Sequence, residues 1–429
     1  MTIIACKTKG LPEENPLHKD ALPKGFFYLV DAETEQIIEP VLYFLTHQFL
    51  FRKGKWCPNT VEAVAYDLAD WWSFLEYVSK SWLDACLYDL VQYRNSMLEA
   101  VSPRTHRPYS TSTINRRLIY ITQLYSWASK RCGYIGDISF EASPKASRSI
   151  DSQMLAHLGT VRLQPSTPTW LKVKHSEHDL PINPLSREEW LLVARTLGPL
   201  PSEQLDDFRP SRDRLAAELS LLTGLRVDEV AGLRAEELLK LPDNAGDPFG
   251  ATSIVITRTK GSVPRKILIP NFFIPELRAY IHRERNQALS QFSNRTRDSL
   301  PTSLFLNHGH SNRLPGNDIT AETLSRSFKK AVLMANLVKQ VIKTNPDSSN
   351  RYITEVAKHS FHDLRHTFAI WLYRAEANAG NAEPWKTIQI RLGHAQLETT
   401  LNTYLKTAEL ERASFSSKVY AEIKRMTKD

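Results

Sequence analysis

The chain lacks the marks of several common functional classes. Its 429 residues include four cysteines, Cys6, Cys57, Cys86 and Cys132, far apart and with no C-x-x-C pair. That spacing gives neither a zinc signature nor a disulfide framework, and it fits a reducing compartment. The N-terminus lacks the basic segment and apolar run of a signal peptide. No apolar stretch approaches the length of a membrane span. There is no Walker A loop, no acidic cluster for metal ions, no internal repeat and no low-complexity tract. A soluble cytoplasmic protein without membrane contact is expected.

What is present is enough apolar material for real cores and an excess of positive charge. Hydrophobic residues make up 42% and aromatics 10% of a chain long enough for two or three domains. The net charge of +8 favours a polyanionic partner, of which nucleic acid is the commonest.

In chain order, residues 1–25 are polar and hold Pro12, Pro16 and Pro23, which reads as a mobile arm or extended lead-in. Phe26–Val30 reads as a short strand, and Pro40 opens a helix from its first turn. From Thr60 the apolar residues Val61, Val64, Leu68, Trp71, Trp72, Leu75 and Val78 recur at helical spacing, so these tryptophans read as core. Further helices are expected over Leu83–Leu98 and Ser110–Tyr134. The second carries Arg116, Arg117, Lys130 and Arg131 on its polar face, which suits either DNA phosphates or plain solvation. Residues 141–182 lose all periodicity and read as a linker. Ser186 and Glu189 form a capping box that opens a new domain.

A helix over Arg212–Leu222 is broken by Gly224, and another starts near Val227, with Arg226 at the turn and Glu229 three residues on. Ser253–Thr259 and Lys266–Pro270 read as two strands with Lys260 at the hairpin tip between them. Phe272–Leu289 and Ala321–Leu337 read as helices, and Lys343–Tyr352 as a polar loop. His308 and His310 invite a metal, but no third ligand stands at metal-site spacing. In the stretch His362–Ala369, His362 and Arg365 are three apart on one helix face, while Leu364, Phe368, Trp371 and Leu372 mark a buried one. His366 falls on nearly the same face as His362. The tail beyond Thr407 spaces its apolar residues as a final amphipathic helix. Taken singly, Arg226 reads as half of a surface ion pair, Lys260 as a solubility residue and the His362–Arg365 pair as structural.

Four segments in order change that reading: "TGLRVDEVAGLR", "TKGSVPRKILIP", "HDLRHTFA" and "LGHAQLETTLNTY". Together they resemble the tyrosine recombinase (phage integrase) family. The resemblance is close over about residues 183–410 and looser over 40–135. It implies a mainly α fold: a helical N-terminal core-binding domain, and an α+β catalytic domain with a small antiparallel sheet. The two would form a C-shaped clamp on DNA. The implied division is a lead-in at 1–55, the core-binding domain at 56–140, the linker at 141–182 and the catalytic domain at 183–429.

Carried over residue by residue, the resemblance implies Arg226 and Arg365 as catalytic arginines and Lys260 as the hairpin lysine. It implies His362 and His394 as the two histidines and Tyr404 as the nucleophile. Glu229 and His366 are expected to support them. The implied activity is site-specific DNA recombination (integration, excision or resolution, often of a mobile genetic element), without ATP, metal or cofactor. The implied partners are double-stranded recombination sites bound by a homotetramer, with accessory DNA-bending or directionality proteins, in a nucleoid-associated location. A type IB topoisomerase and a catalytically inactive DNA-binding protein are the rival readings.

Overall fold

The computed structural model describes residues 3–11, 21–51, 57–140, 142–144, 163–165, 167–174, 182–242, 246–257, 264–292, 300–308, 314–346, 348–393, 400–401 and 403–404. Among these residues the chain is mainly helical with small two-stranded sheets, and no helix is long and apolar enough to cross a membrane. It divides into one compact unit of residues 1–176 with 342–352, and a second of 177–341 with 353–429.

In the first unit, β1 (Ile3–Lys7) pairs antiparallel with β2 (Phe27–Asp31), with Ala5 opposite Leu29. The helices are α1 (Glu39–Leu45), α2 (Pro58–Tyr77), α3 (Leu87–Glu99) and α4 (Thr111–Arg131). Proline occupies the first turn of α1 and α2, where its missing N–H costs no hydrogen bond. The Ser110 hydroxyl caps α4 by accepting from the Thr113 N–H at 3.2 Å. The apolar stripes of α2 and α4 meet in one core, as their spacing predicts. At its centre the Trp71 Nε1–H donates to the Tyr125 hydroxyl at 3.1 Å, which donates in turn to the Trp82 carbonyl at 3.1 Å.

Two stretches outside the expected helical domain contribute to this core. Ile3, Phe26, Phe27 and Leu29 of the lead-in pack into it, and so does Leu171 of the expected linker. Burial of Ile3 and Leu171 outweighs the polarity of the residues around them, and Phe27 and Leu29 lie on the strand expected at Phe26–Val30. Short strands β3 (Ala142–Pro144) and β4 (Leu163–Pro165) also pair there.

The basic face of α4 divides. Arg116 grips Asp67 of α2 with two bonds of 2.9 Å, and Arg117 reaches Asp70 at 2.5 Å and Asp67 at 3.5 Å. Their charge is spent between helices, because α2 places two carboxylates opposite them. Lys130 and Arg131, in the last turn, are exposed.

The second unit opens with α5 (Arg187–Leu197), whose capping box forms as expected: the Ser186 hydroxyl accepts from the Glu189 N–H at 3.1 Å, and the Glu189 carboxylate accepts from the Ser186 N–H at 2.8 Å. Then come α6 (Arg212–Thr223), α7 (Val227–Ala231) and α8 (Ala235–Leu239). The strands β5 (Ala251–Ile256) and β6 (Arg265–Pro270) pair antiparallel, with Ile256 opposite Arg265. Thr252, Ile254 and Ile256 face inward on alternate positions, the period of a strand with one face covered. Helices α9 (Ile274–Tyr280) and α10 (Asn286–Ser290) are joined by a wider turn at Ile281–Arg285. After α11 (Ala321–Met334) come strands β7 (Val338–Thr344) and β8 (Arg351–Ala357), whose residues 342–344 and 351–352 count with the first unit, then α12 (Phe361–Asn378) and α13 (Pro384–Leu392).

The polar loop expected at Lys343–Tyr352 is the connection of a paired hairpin, with β7 and β8 taking its two ends, and the helix expected to reach Leu337 stops at Met334, with Asn336 in the left-handed region at φ 56°. Neither β7 nor β8 alternates buried and exposed side chains, so the periodic signal of a strand is missing from the sequence. Helix α12 packs on α6 and α13, which carries its apolar face into the core and brings its first turns to the end of α6.

Asp67 is 1% exposed and holds Arg116 and Arg117 of α4. Asp67→Ala removes the carboxylate that Arg116 and Arg117 share and leaves Arg117 its bond to Asp70, so it should cost about 1–3 kcal/mol. Lys130→Ala, at an exposed position, should stay within about 0.5 kcal/mol. Urea denaturation followed by circular dichroism measures both, and equal effects would show that the interhelical pairs contribute nothing.

Candidate active site

The site begins where α6 ends. Gly224 has φ +70°, and a Cβ there would lie 2.5 Å from Cδ1 of Phe368 and 2.8 Å from Cδ2 of Leu392. A side chain therefore fails on both conformation and space, and the backbone approaches α12 and α13 closely. The turn delivers Arg226 to the N-terminus of α7. Its N–H donates to Glu229 Oε2 at 2.8 Å, and its guanidinium reaches Oε1 at 3.2 Å. Glu229 is 2% exposed, and this one buried carboxylate holds both the backbone and the side chain of the arginine.

Arg365 comes from α12 and is also buried. It donates to the Gly224 carbonyl at 2.5 Å and to the Leu392 carbonyl at 2.8 Å. Burial and the nearby Arg226 charge bring its pKa down to about 10, so it stays cationic at neutral pH. A guanidinium carries five N–H groups, and these carbonyls accept from two of its nitrogens.

Tyr404 is buried among Phe368, Tyr373, Ile388 and Leu392. Its hydroxyl is hydrogen-bonded to Arg365 and lies 3.2 Å from Nδ1 of His366. Burial pushes the phenol above its ordinary value, although the charges of Arg365 and Arg226 pull the other way. His366 stands one turn after His362 on α12. Their rings meet edge to face, with centroids 4.7 Å apart, and His362 is exposed.

The fold therefore brings Arg226, Glu229, Arg365, His366 and Tyr404 together, with His362 beside them. Lys260 and His394 lie outside the described residues. Of the other tyrosines near the end of the chain, Tyr373 stacks on Trp385 at 4.4 Å, Tyr352 is 41% exposed, and Tyr420 lies outside the described residues. His308 sits 3.3 Å from Glu284, while His310 lies outside the described residues. Among the described residues no group of three or more His, Cys, Asp or Glu is placed to hold a metal ion.

One residue of the site carried no role in the sequence reading. Arg265, the first residue of β6, donates from Nη2 to Glu229 Oε2 at 2.7 Å and from Nη1 to the Arg391 carbonyl at 3.0 Å. It fixes the far side of the carboxylate that orients Arg226, and it touches the end of α13. Gly393, at φ +65°, is required there, because a Cβ would stand 2.6 Å from Cδ of Arg265. Burial opposes the ionised form of Glu229, but the Arg226 N–H and the two guanidiniums hold its carboxyl below the usual range. The one available signal was the place of Arg265 in the motif, five residues after Lys260.

Arg265→Ala should destabilise the fold by about 3 kcal/mol, because it removes one partner of a buried, charged carboxylate. The pH dependence has a definite sign. Glu229 titrates lower folded than unfolded, so its contribution is present above an unfolded pKa of about 4.3 and is lost as pH falls through the folded value. Glu229→Gln should flatten that part of the stability profile. Denaturation midpoints between pH 3 and 7 check this, and parallel profiles for the two proteins would overturn it.

Residues 202–411 match the phage integrase family. An integrase/recombinase of Escherichia coli is 27% identical over 217 residues, covering 45% of this chain and 54% of that protein. The chain therefore spans about half the length of this curated relative. Transposase A from transposon Tn554 of Staphylococcus aureus is 25% identical over 398 residues, covering 89% of this chain and 91% of that protein. Among solved structures, the XerH site-specific recombinase bound to palindromic difH substrate, a post-cleavage complex, has the same fold. Its TM-score is 0.52 at 17% identity, over 83% of this chain and 79% of that one. All four motif segments and the site they build fall inside the matched residues, so residues 202–411 form a phage integrase domain, that of the tyrosine recombinase family.

Proposed function

We propose that the chain cuts and rejoins double-stranded DNA at specific sites through a covalent 3′-phosphotyrosyl link to Tyr404. The observation that carries this reading is the surrounding of one buried tyrosine hydroxyl: it is bonded to Arg365, feels the charge of Arg226 and stands 3.2 Å from His366. A tyrosine hydroxyl of ordinary pKa about 10 is a poor nucleophile until positive charge and a proton acceptor help it ionise.

Attack on a phosphodiester builds negative charge on its non-bridging oxygens, and preorganised positive charge stabilises that charge. Arg226 and Arg365 are suited to it, because a guanidinium is planar, bidentate and permanently charged at neutral pH. In the proposed mechanism they clamp the oxygens, His394 donates to one of them, and Lys260 protonates the departing 5′-oxygen. His362, exposed at the start of α12, relays protons, while Glu229 and His366 support the arginine and the tyrosine. The phosphotyrosyl link retains the energy of the phosphodiester, so rejoining needs no ATP. The likeness to a transposon-encoded transposase supports movement of a mobile element.

The same reading assigns residues 56–140 to DNA binding, 141–182 to a linker and 183–429 to catalysis, with a tetramer on two paired sites. The exposed Lys130 and Arg131 on α4 are candidate phosphate contacts.

The test is covalent trapping. Duplexes that become covalently bound are selected from a random pool, and the recovered site is rebuilt with a nick beside the scissile phosphate. The wild-type chain should form a denaturant-resistant complex through its 3′-phosphate, and Tyr404→Phe should form none. A covalent complex with Tyr404→Phe would sink the assignment. A plasmid carrying two such sites should give rearranged products, whereas relaxation without rearrangement would favour a topoisomerase. Binding should also weaken steeply with salt, by about tenfold or more between 50 and 200 mM for several neutralised phosphates. A flat response would count against phosphate-led binding.

A further inference from the structure

We propose that His366 is a catalytic residue, the base that takes the proton from the Tyr404 hydroxyl as it attacks DNA. The inference rests on the reading of Tyr404 as the nucleophile and deepens it: the histidine beside the reacting oxygen is the fourth residue after His362, and its role goes beyond support.

Geometry carries the assignment. His366 Nδ1 lies 3.2 Å from the Tyr404 oxygen, within reach for direct proton transfer, and the two ring centroids are 5.5 Å apart. Among the described residues, the other groups around the phenol are poor acceptors. Arg365 and Arg226 remain cationic at neutral pH and carry no basic lone pair. The Glu229 carboxylate is engaged by Arg226 and Arg265. Imidazole is the side chain near Tyr404 whose ordinary pKa lies close to neutrality. Tyr404 itself is 1% exposed, so bulk water is a poor proton acceptor for it. The spacing also follows from α12, where residues three and four apart share a face. His362 and His366 line that face, and Arg365 approaches the same hydroxyl from one position earlier.

The proton balance closes. In cleavage, Nδ1 of His366, as the Nε2–H tautomer, accepts the Tyr404 proton while the Oη–P bond forms. The P–O5′ bond breaks, and the 5′-oxygen takes a proton from the general acid assigned above to Lys260. In rejoining, the 5′-hydroxyl attacks phosphorus, its proton returns to Lys260, and Tyr404 leaves and recovers its proton from His366. The imidazolium formed in between sits against a phenolate that has become a phosphate ester and against the charged transition-state oxygens, which offset the nearby arginines.

The experiment measures single-turnover formation of the covalent complex on the nicked substrate, with the full chain. His366→Asn keeps a hydrogen-bonding side chain but cannot take a proton. It should slow cleavage by about 100-fold or more, with DNA affinity within about threefold of wild type. To separate proton acceptance from positioning, Tyr404 is replaced by a ring-fluorinated tyrosine, a more acidic phenol that ionises with less help. In the His366→Asn background it should restore at least tenfold of the lost rate, and alone it should change the wild-type rate little. Cleavage by His366→Asn within threefold of wild type would falsify the assignment. A slow variant that fluorination fails to rescue would also overturn it, leaving His366 a positioning residue. Should the wild-type chain trap no DNA, or Tyr404→Phe trap it normally, the failure lies in the nucleophile assignment itself.

Discussion

The arrangement depends on one buried cation. The Arg365 guanidinium lies between the carbonyl that ends α6 and the carbonyl that ends α13, at 2.5 and 2.8 Å. A charge in that position is tolerable because its N–H groups meet acceptors fixed by two helix ends. The same bonds fasten three elements together: α6 with its turn to Arg226, α12 with its histidines, and α13 with the approach to Tyr404. The apolar face of α12 supplies the packing, and Arg365 supplies the register.

Around that cation the site is built in pairs of opposite character. Glu229 is a buried anion whose task is to hold other charges. It orients Arg226 from one side and is itself held by Arg265 from the other. Tyr404 is a buried neutral group facing two arginines and an imidazole, and it gains from them when it loses its proton. Two glycines make the spacing possible: Gly224 lets α6 approach α12, and Gly393 leaves room for Arg265. Each is followed shortly by a residue of the expected machinery, Arg226 and His394, so the motifs join a backbone requirement to a chemical one.

Positive charge serves different ends in the two units. On α4, Arg116 and Arg117 join helices, and the exposed charge falls to Lys130 and Arg131 at its end. In the second unit, the buried Arg365 and the half-buried Arg226 and Arg265 meet at one place. Net charge therefore predicts a polyanionic partner without saying which arginines meet it. An ion pair across 49 residues leaves no periodic trace in a sequence, because the two side chains become neighbours only when their helices pack.

Much was legible from residue order. Local rules placed the capping box at Ser186, the break at Gly224, both strands around Lys260 and the amphipathic α12. Those signals arise within a few residues, so the sequence alone determined them. The order of the four motifs carried the family and with it the mainly α fold. The exposed hairpin of β7 and β8, the packing of Ile3 and Leu171 into the first core, and the role of Arg265 were beyond that reach. Each depends on backbone pairing or contacts between distant segments. Sequence placed His366 near the chemistry as a face-mate of His362. Only the packing of α12 beside Tyr404 brought its nitrogen to that hydroxyl. Proton transfer depends on tenths of an ångström, and those are set by tertiary contacts among the distant segments that meet at Tyr404.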